Sequence, residues 1–356
     1  MKQLNDQLFG KSILMNGPKL VALGGGTGLS TMLRGLKKYT SNITAVVTVA
    51  DDGGGSGILR QDLGMLPPGD IRNCILALAN TEPILEQLLQ YRFKEGRLKG
   101  QNFGNLFLAA MDGISSGFEE AVRRMSDVLA VTGRVLPVTL DDVKLCAVLE
   151  DGCTICGESQ IGKHNTDHSV RIERVYLEPQ TVTPLNEVID AISEADAVIL
   201  GPGSLYTSII PNLLVNGICD AIKNSTAVKL YICNVMTQPG ETGGYSVFDH
   251  IRAMEEHSCK GIVDYCIINK AAIPEDLKER YLEDGAEQVR IDRDVVNEAG
   301  IKLLERDFVN IKNGYIRHEP DKLAGTVIDL VVDKILSEDR ARIIDYYNVK
   351  DRLGKP

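Results

Sequence analysis

Short apolar strands alternate with amphipathic helices along this chain. This order predicts an α/β protein with a Rossmann-like core of parallel strands and a mostly helical insertion. Three observations carry the prediction. Four glycine-rich or polar loops, at 24–28, 51–57, 201–204 and 234–241, punctuate the chain, and at least three directly follow an apolar run. The opening, residues 19–50, reads strand, loop, helix, strand, which implies parallel pairing. From about residue 60 to 128 every periodic segment reads as helix, as an inserted cap covering a site does.

The elements follow in order. Residues 19–23 form an apolar strand ending in glycines, and 29–38 carry Leu29, Met32, Leu33 and Leu36 on one helical face. Residues 43–50 are β-branched and apolar, a second strand. Helices follow over 71–79, 83–93, 103–114 and 118–125. Strands return at 131–136, 143–149 and 172–177. Alternation then resumes with helix 186–195, strand 197–200, helix 212–224, strand 228–233, helix 247–256 and strand 262–268. Residues 288–291 and 302–305 read as edge strands and 323–336 as a helix. We divide the chain into an extension (1–18), one α/β domain (19–335) with the insertion at about 60–128, and a charged tail (336–356).

The chain has 356 residues, 44% hydrophobic and 25% charged, with a net charge of −10. That describes a soluble globular protein. The acidic balance argues against nucleic acid, whose phosphates reward Lys and Arg. No apolar run approaches the roughly 20 residues of a membrane span, and Lys2 and Lys11 enclose no signal-peptide core. Eight cysteines show no metal-site rhythm. Cys74, Cys146, Cys219, Cys233 and Cys266 read as buried thiols, and Cys153 and Cys156 as incidental residues of a hairpin, in keeping with a reducing cytoplasm.

The loops carry the chemistry. Glycines at strand ends let backbone N–H groups approach an anion, and a following helix N-terminus adds a favourable dipole. In the first loop Gly25, Gly26, Thr27, Gly28 and Ser30 are candidates for binding a phosphate-bearing ligand. The loop lacks the lysine of a P-loop, and both registers of the dinucleotide fingerprint fail at the last position. In the second loop Asp51 can hold a ribose, and Asp51 with Asp52 suits a hydrated Mg²⁺. Asp70 reads as a helix N-cap, with Arg72 and Asn73 in the first turn. Gly203, Ser204 and Thr207 repeat the glycine-then-hydroxyl theme. Asn234, Gln238 and Glu241 suit a base, a ribose or a sugar. No nucleophile elbow or zinc motif occurs, so any chemistry is transfer at a phosphate.

These loops together resemble the gluconeogenesis factor branch of the CofD-like, 2-phospho-lactate transferase family. The resemblance rests on Gly24–Ser30, Asp51–Gly54, Pro67–Asn73, Phe103–Leu106, Gly201–Ser208 and Asn234–Thr242, and runs from about residue 19 to 335. It implies a Rossmann-like core with a helical insertion. It also implies a cytoplasmic protein that binds a UDP-sugar and supports cell shape and cell-wall precursor supply on gluconeogenic carbon sources. The other branch moves a phospholactyl group from a guanosine diphosphate carrier to a deazaflavin. An NAD ligand is a further alternative. The late blocks add Tyr281, placed to stack on a base, and Arg317, placed to meet a diphosphate. The partners expected are a nucleotide sugar, a second copy of the chain and cell-wall synthesis proteins. Gly55, Ile58 and Gln101 stand where the family carries serine, arginine and histidine.

Overall fold

In the computed structural model, which describes residues 17–162, 170–312 and 314–338, seven strands lie side by side and all run parallel. The first is β1 (Leu20–Gly24), buried at every position. It leads into helix α1 (Gly26–Leu36), whose face of Leu29, Met32, Leu33 and Leu36 is buried. Each such side chain contributes about 1.5–3 kcal/mol by leaving water. The helix begins three residues earlier than periodicity predicts, because the glycines themselves form its first turn. Strand β2 (Ile43–Val47) pairs in register with β1.

The stretch expected to be helical holds five helices: α2 (Gly54–Leu63), α3 (Gly69–Leu78), α4 (Pro83–Gln90), α5 (Phe103–Gly113) and α6 (Phe118–Val128). Asn102 caps α5 by accepting from the Asn105 N–H. Asp70 does not cap α3. Pro68 holds that position, and Asp70 sits in the first turn. Strand β3 (Arg134–Pro137) then closes one edge of the sheet.

A separate antiparallel sheet follows, with β4 (Lys144–Leu149) between β5 (Thr154–Cys156) and β6 (Ile172–Glu178). Four of the cysteines expected as buried thiols or incidental hairpin residues, or left unassigned, are paired instead. Cys146 and Cys156 are register partners joined in a disulfide, and Cys219 is joined to Cys259. Neither partner is visible locally, since each pair comes together only when its elements pack. Cys74, Cys233 and Cys266 are free and buried.

Helix α7 (Asn186–Ser193) precedes β7 (Ala197–Leu200). The single helix expected over 212–224 is broken. A π-helical turn (Leu205–Ile209) runs into α8 (Ile210–Leu213), and Gly217, at φ +80°, starts α9 (Ile218–Asn224) in a new direction. The remaining elements are β8 (Val228–Ile232), α10 (Val247–His257), β9 (Tyr265–Asn269), α11 (Glu275–Glu283), α12 (Arg293–Glu298) and β10 (Lys302–Arg306). After them come a hairpin, β11 (Val309–Lys312) and β12 (Tyr315–His318), and α13 (Pro320–Glu338). The strand expected at 288–291 is absent. Gln288 and Arg290 make only isolated bridges, to Met236 and Ser246. Of the extension, Gly17 and Pro18 are buried; residues 1–16 and the tail from 339 lie outside the described residues.

Sheet order is β10-β9-β8-β7-β1-β2-β3. Chain order therefore runs outward in both directions from the β1/β7 pair. Such a reversal opens a crevice beyond the carboxyl ends of the two strands, where ligands of open α/β sheets bind. Among the described residues no single helix is long and apolar enough to cross a membrane. The bent apolar pair at 205–224 packs Leu205, Ile209, Ile210, Ile218 and Ile222 into the core.

Candidate functional site

The loops after β1, β7 and β8 meet at this crevice and enclose a cavity of about 440 Å³. Its wall includes Gly25, Gly26, Thr27, Gly28, Gly203, Ser204, Asn234, Gln238, Tyr281 and Arg317. The contacts between loops explain the glycines. A Cβ on Gly28 would lie 2.5 Å from the Pro202 carbonyl oxygen, and one on Gly25 would lie 2.5 Å from Asp70 Oδ2. The Asn234 amide donates to the Gly203 carbonyl at 2.8 Å. Asn212, fully buried, donates to the carbonyls of Gly24 and Ser208. The π-turn is thus tied to the first glycine loop.

Thr27 is exposed on the cavity wall. Ser30 is buried behind it, and its hydroxyl donates to the Thr27 carbonyl at 3.1 Å. Ser30 therefore supports the turn and does not line the cavity. At the far wall the Tyr281 hydroxyl accepts from the Ile316 N–H at 2.9 Å, which fixes the ring against β12. The Arg317 guanidinium lies 5.4 Å from the centre of the exposed Tyr315 ring, which also lines the cavity. His318 lines it too. Burial pushes this imidazole down to about 4, so it is neutral.

Asp51, Asp52, Thr207 and Glu241 do not line the cavity; the carboxyls of Asp51, Asp70, Glu158 and Glu241 cluster beside it as an acidic chamber. The Asp70 carboxylate lies against Gly25, turned toward Gly26, so the cavity and this acidic chamber share the Gly25–Gly26 wall. Burial raises the Asp51 carboxyl. Burial, and then the charge of Asp51, pushes Asp70 up to about 6. Glu158 is pushed up to about 7 by burial and then by Asp51 and Asp70. Glu241 is pushed up to about 8 by burial and then by Glu158. The Thr207 hydroxyl is near Glu158 and lies 3.5 Å from Glu241 Oε1. Gln238 donates to the same oxygen at 2.8 Å. Glu241 Oε2 is buried with no hydrogen-bond partner. Packed carboxylates that hold their protons mark a place where positive charge is welcome.

The paired aspartates divide their work. Asp51 accepts from the Gly53 N–H and faces the chamber. Asp52 accepts from the Ser159 N–H at 2.8 Å and clamps the chain there. Among the described residues, the one group of three Cys, His or acidic side chains with all ligand atoms within 4.8 Å is Cys146, Cys156 and Glu178. The chamber carboxylates are spread more widely. That spacing suits a hydrated cation such as Mg²⁺, which keeps several of its waters.

The sequence pointed to Ser208 along with Ser204 and Thr207, and the cavity wall includes it; Met236 and Tyr315 as cavity residues, and Asp70 and Glu158 as chamber residues, were missed. Met236 stands inside a motif already singled out, and Tyr315 lies two residues from Arg317. Glu158 follows a hairpin with no motif, and only the packed fold brings it near.

A parallel α/β core with glycine loops at its switch point defines the class. The chain belongs to the family described as 2-phospho-L-lactate transferase CofD, which it matches over residues 20–309. It is 48% identical to a gluconeogenesis factor of Bacillus subtilis over 88% of this chain and 98% of that one. It is 46% identical to the gluconeogenesis factor of Halalkalibacterium halodurans, over 88% of this chain and 97% of that one. Among solved structures it resembles a UPF0052 family protein from Bacillus halodurans, with a TM-score of 0.83 and 46% identity, over 86% of this chain and 98% of that one.

Proposed function

We propose that this protein is a cytoplasmic UDP-sugar-binding protein that acts as a gluconeogenesis factor, supporting cell shape and cell-wall precursor supply. One observation carries the reading. The first glycine loop, the β8 loop, Tyr281 and Arg317 come from four distant parts of the sequence and line one cavity at the switch point. In this reading the diphosphate lies along the glycine loops toward Arg317, the base against Tyr281, and the sugar toward Asn234 and Gln238. The N-terminus of α1 supplies the dipole. A second copy of the chain and cell-wall synthesis proteins are the proposed partners.

Calorimetry of the full chain with UDP-N-acetylglucosamine, UDP-glucose, NAD and GDP tests this. Micromolar binding of a UDP-sugar is expected. Tight NAD binding with neither UDP-sugar bound would overturn the reading in favour of an NAD protein.

The acidic chamber favours a second reading, a CofD-like transferase acting on a nucleotide-diphosphate-linked phospho-acid. Asp51, Asp70, Glu158 and Glu241 would hold a hydrated Mg²⁺ beside the first glycine loop. Bound there, the cation would neutralise charge on the transferring phosphate. Turnover of such a carrier, dependent on Mg²⁺, would establish this reading; its absence would leave a binding protein.

A further inference from the structure

One end of the acidic chamber is held by a short piece of chain between β5 and the buried Ile161. Strand β5 has three residues and pairs with β4 at three positions: Cys146 with Cys156, Ala147 with Ile155, and Val148 with Thr154. Directly after Cys156 the chain turns into the chamber. The Gly157 N–H donates to the Leu145 carbonyl at 2.8 Å. A Cβ on Gly157 would lie 2.5 Å from Asp52 Oδ2, so the backbone passes close against that carboxylate. Glu158 then enters the chamber near Asp51, Asp70 and Thr207, and the Ser159 N–H donates to Asp52. The last register pair before Glu158 is the cysteine pair.

We propose that Cys146 and Cys156 are a thiol–disulfide switch that fixes Glu158 in the acidic chamber when oxidised and loosens it when reduced. The proposal is independent of the UDP-sugar reading, because the cysteines do not line that cavity.

The surroundings favour a bond that can be made and broken. Cys156 is exposed, whereas Cys146 is buried. A thiolate of a small dithiol therefore attacks Cys156 Sγ, and Cys146 Sγ leaves and takes up a proton. The second thiol of the reductant then resolves the mixed disulfide and frees Cys156. Two electrons and two protons pass from the dithiol to the protein. Oxidation is the reverse, with a low-molecular-weight disulfide as acceptor. The freed Cys146 thiol has an acceptor waiting, since its sulfur lies 3.9 Å from Glu178 Oε2. Cys153 is exposed, but the neighbouring Asp151 carboxylate raises its thiol and disfavours the thiolate. That makes it a poor nucleophile.

Hydrogen exchange on the full chain tests the switch, with oxidised glutathione in one sample and dithiothreitol in the other. Blocking free thiols before peptide mapping reports the bonds. The oxidised sample should contain a 146–156 cross-link. The reduced sample should lose it, and the Gly157 and Ser159 amides should exchange faster, on the order of tenfold. Cys219→Ser removes the other pair and should keep this difference. Cys153→Ser should behave as wild type, and Cys146→Ser should exchange as reduced protein in both buffers. If Cys146→Ser fails to fold, the two wild-type samples still decide. Equal exchange in both, or a 153–156 cross-link in the oxidised sample, would overturn the proposal.

Discussion

The cavity and the acidic chamber share the wall at Gly25 and Gly26, yet they are made from opposite materials. The cavity is built largely from backbone. Three loops touch through glycines, and side chains such as Tyr281 and Asn234 are already tied by hydrogen bonds. The chamber is built from carboxyl side chains drawn from four segments, and burial opposes their charge. The first presents backbone at close quarters; the second gathers carboxyls whose charge burial opposes. The two adjoining surfaces have opposite electrostatic demands, as a site for a phosphate ligand and its counter-ion would.

The largest effect should come from the contact that shapes the cavity. Gly28→Ala places a Cβ against the Pro202 carbonyl, where both sides are backbone and neither can rotate away. Overpacking of this kind costs about 1–3 kcal/mol. The expected outcome is a thermal midpoint lower by several degrees together with loss of UDP-sugar binding. An unchanged midpoint would mean that the loops slide apart without penalty and that the cavity is not rigid.

The chamber should answer to pH instead. Glu241 is raised from 4.5 to about 8, so the folded protein holds more protons than the unfolded chain between those values. Stability from this group is fully present below pH 4.5 and is lost as pH rises through 8. Glu158 and Asp70 add the same sign over narrower windows, up to about 7 and about 6. Thermal midpoints measured without divalent cation should therefore fall between pH 5 and 9. Glu241→Gln keeps an acceptor for Gln238 and cannot ionise, so it should flatten the upper part of that fall. Mg²⁺ at pH 8 should raise the wild-type midpoint more than the variant's. Parallel curves for the two proteins would show that Glu241 is not a proton reservoir.

How much could be read in advance follows the same division. The glycine loops were legible because their signal is local: an apolar strand, then residues that only a close backbone approach requires. The place of a ligand at the carboxyl edge of the sheet followed from the same pattern, but the β1/β7 switch point did not, because strand order is set by long-range pairing. The chamber was not legible. Asp70 carries every mark of a helix N-cap, and only the fold shows its carboxylate turned toward Gly26. Glu158 and Thr207 lie 49 positions apart and come near each other only in the packed fold. The cysteine pairs failed for the same reason. Register across β4 and β5 decides that Cys146 meets Cys156, and composition does not carry register.

On the cavity side, Arg317 sharpens the comparison. Its guanidinium is exposed and rests over Tyr315, so little of the core depends on it. Arg317→Ala should weaken UDP-sugar binding by about ten- to a hundredfold, the value of a charge-assisted hydrogen bond. Arg317→Lys should lose most of the same affinity, because an ammonium cannot reproduce two parallel N–H bonds to a diphosphate. Midpoints of both unliganded variants should match wild type. If the lysine variant binds as wild type does, a point charge suffices and the paired geometry is wrong.

The smallest effect should come from Thr27, and it separates the two halves of the first loop's role. The Thr27 carbonyl accepts from Ser30 and Thr31 and so belongs to the turn, whatever its side chain does. The side chain stands exposed on the cavity wall. Thr27→Val keeps the β-branched shape and the carbonyl and removes only the hydroxyl. Loss of one hydrogen bond to a phosphate should cost about 1.5–3 kcal/mol, or roughly tenfold or more in affinity. The midpoint should not move, since no buried group loses a partner. A weaker dissociation constant at constant stability would place the ligand's phosphate against the first turn of α1. An unchanged constant would confine the loop to a structural role, and the anion would then have to be held by the β7 loop and Arg317.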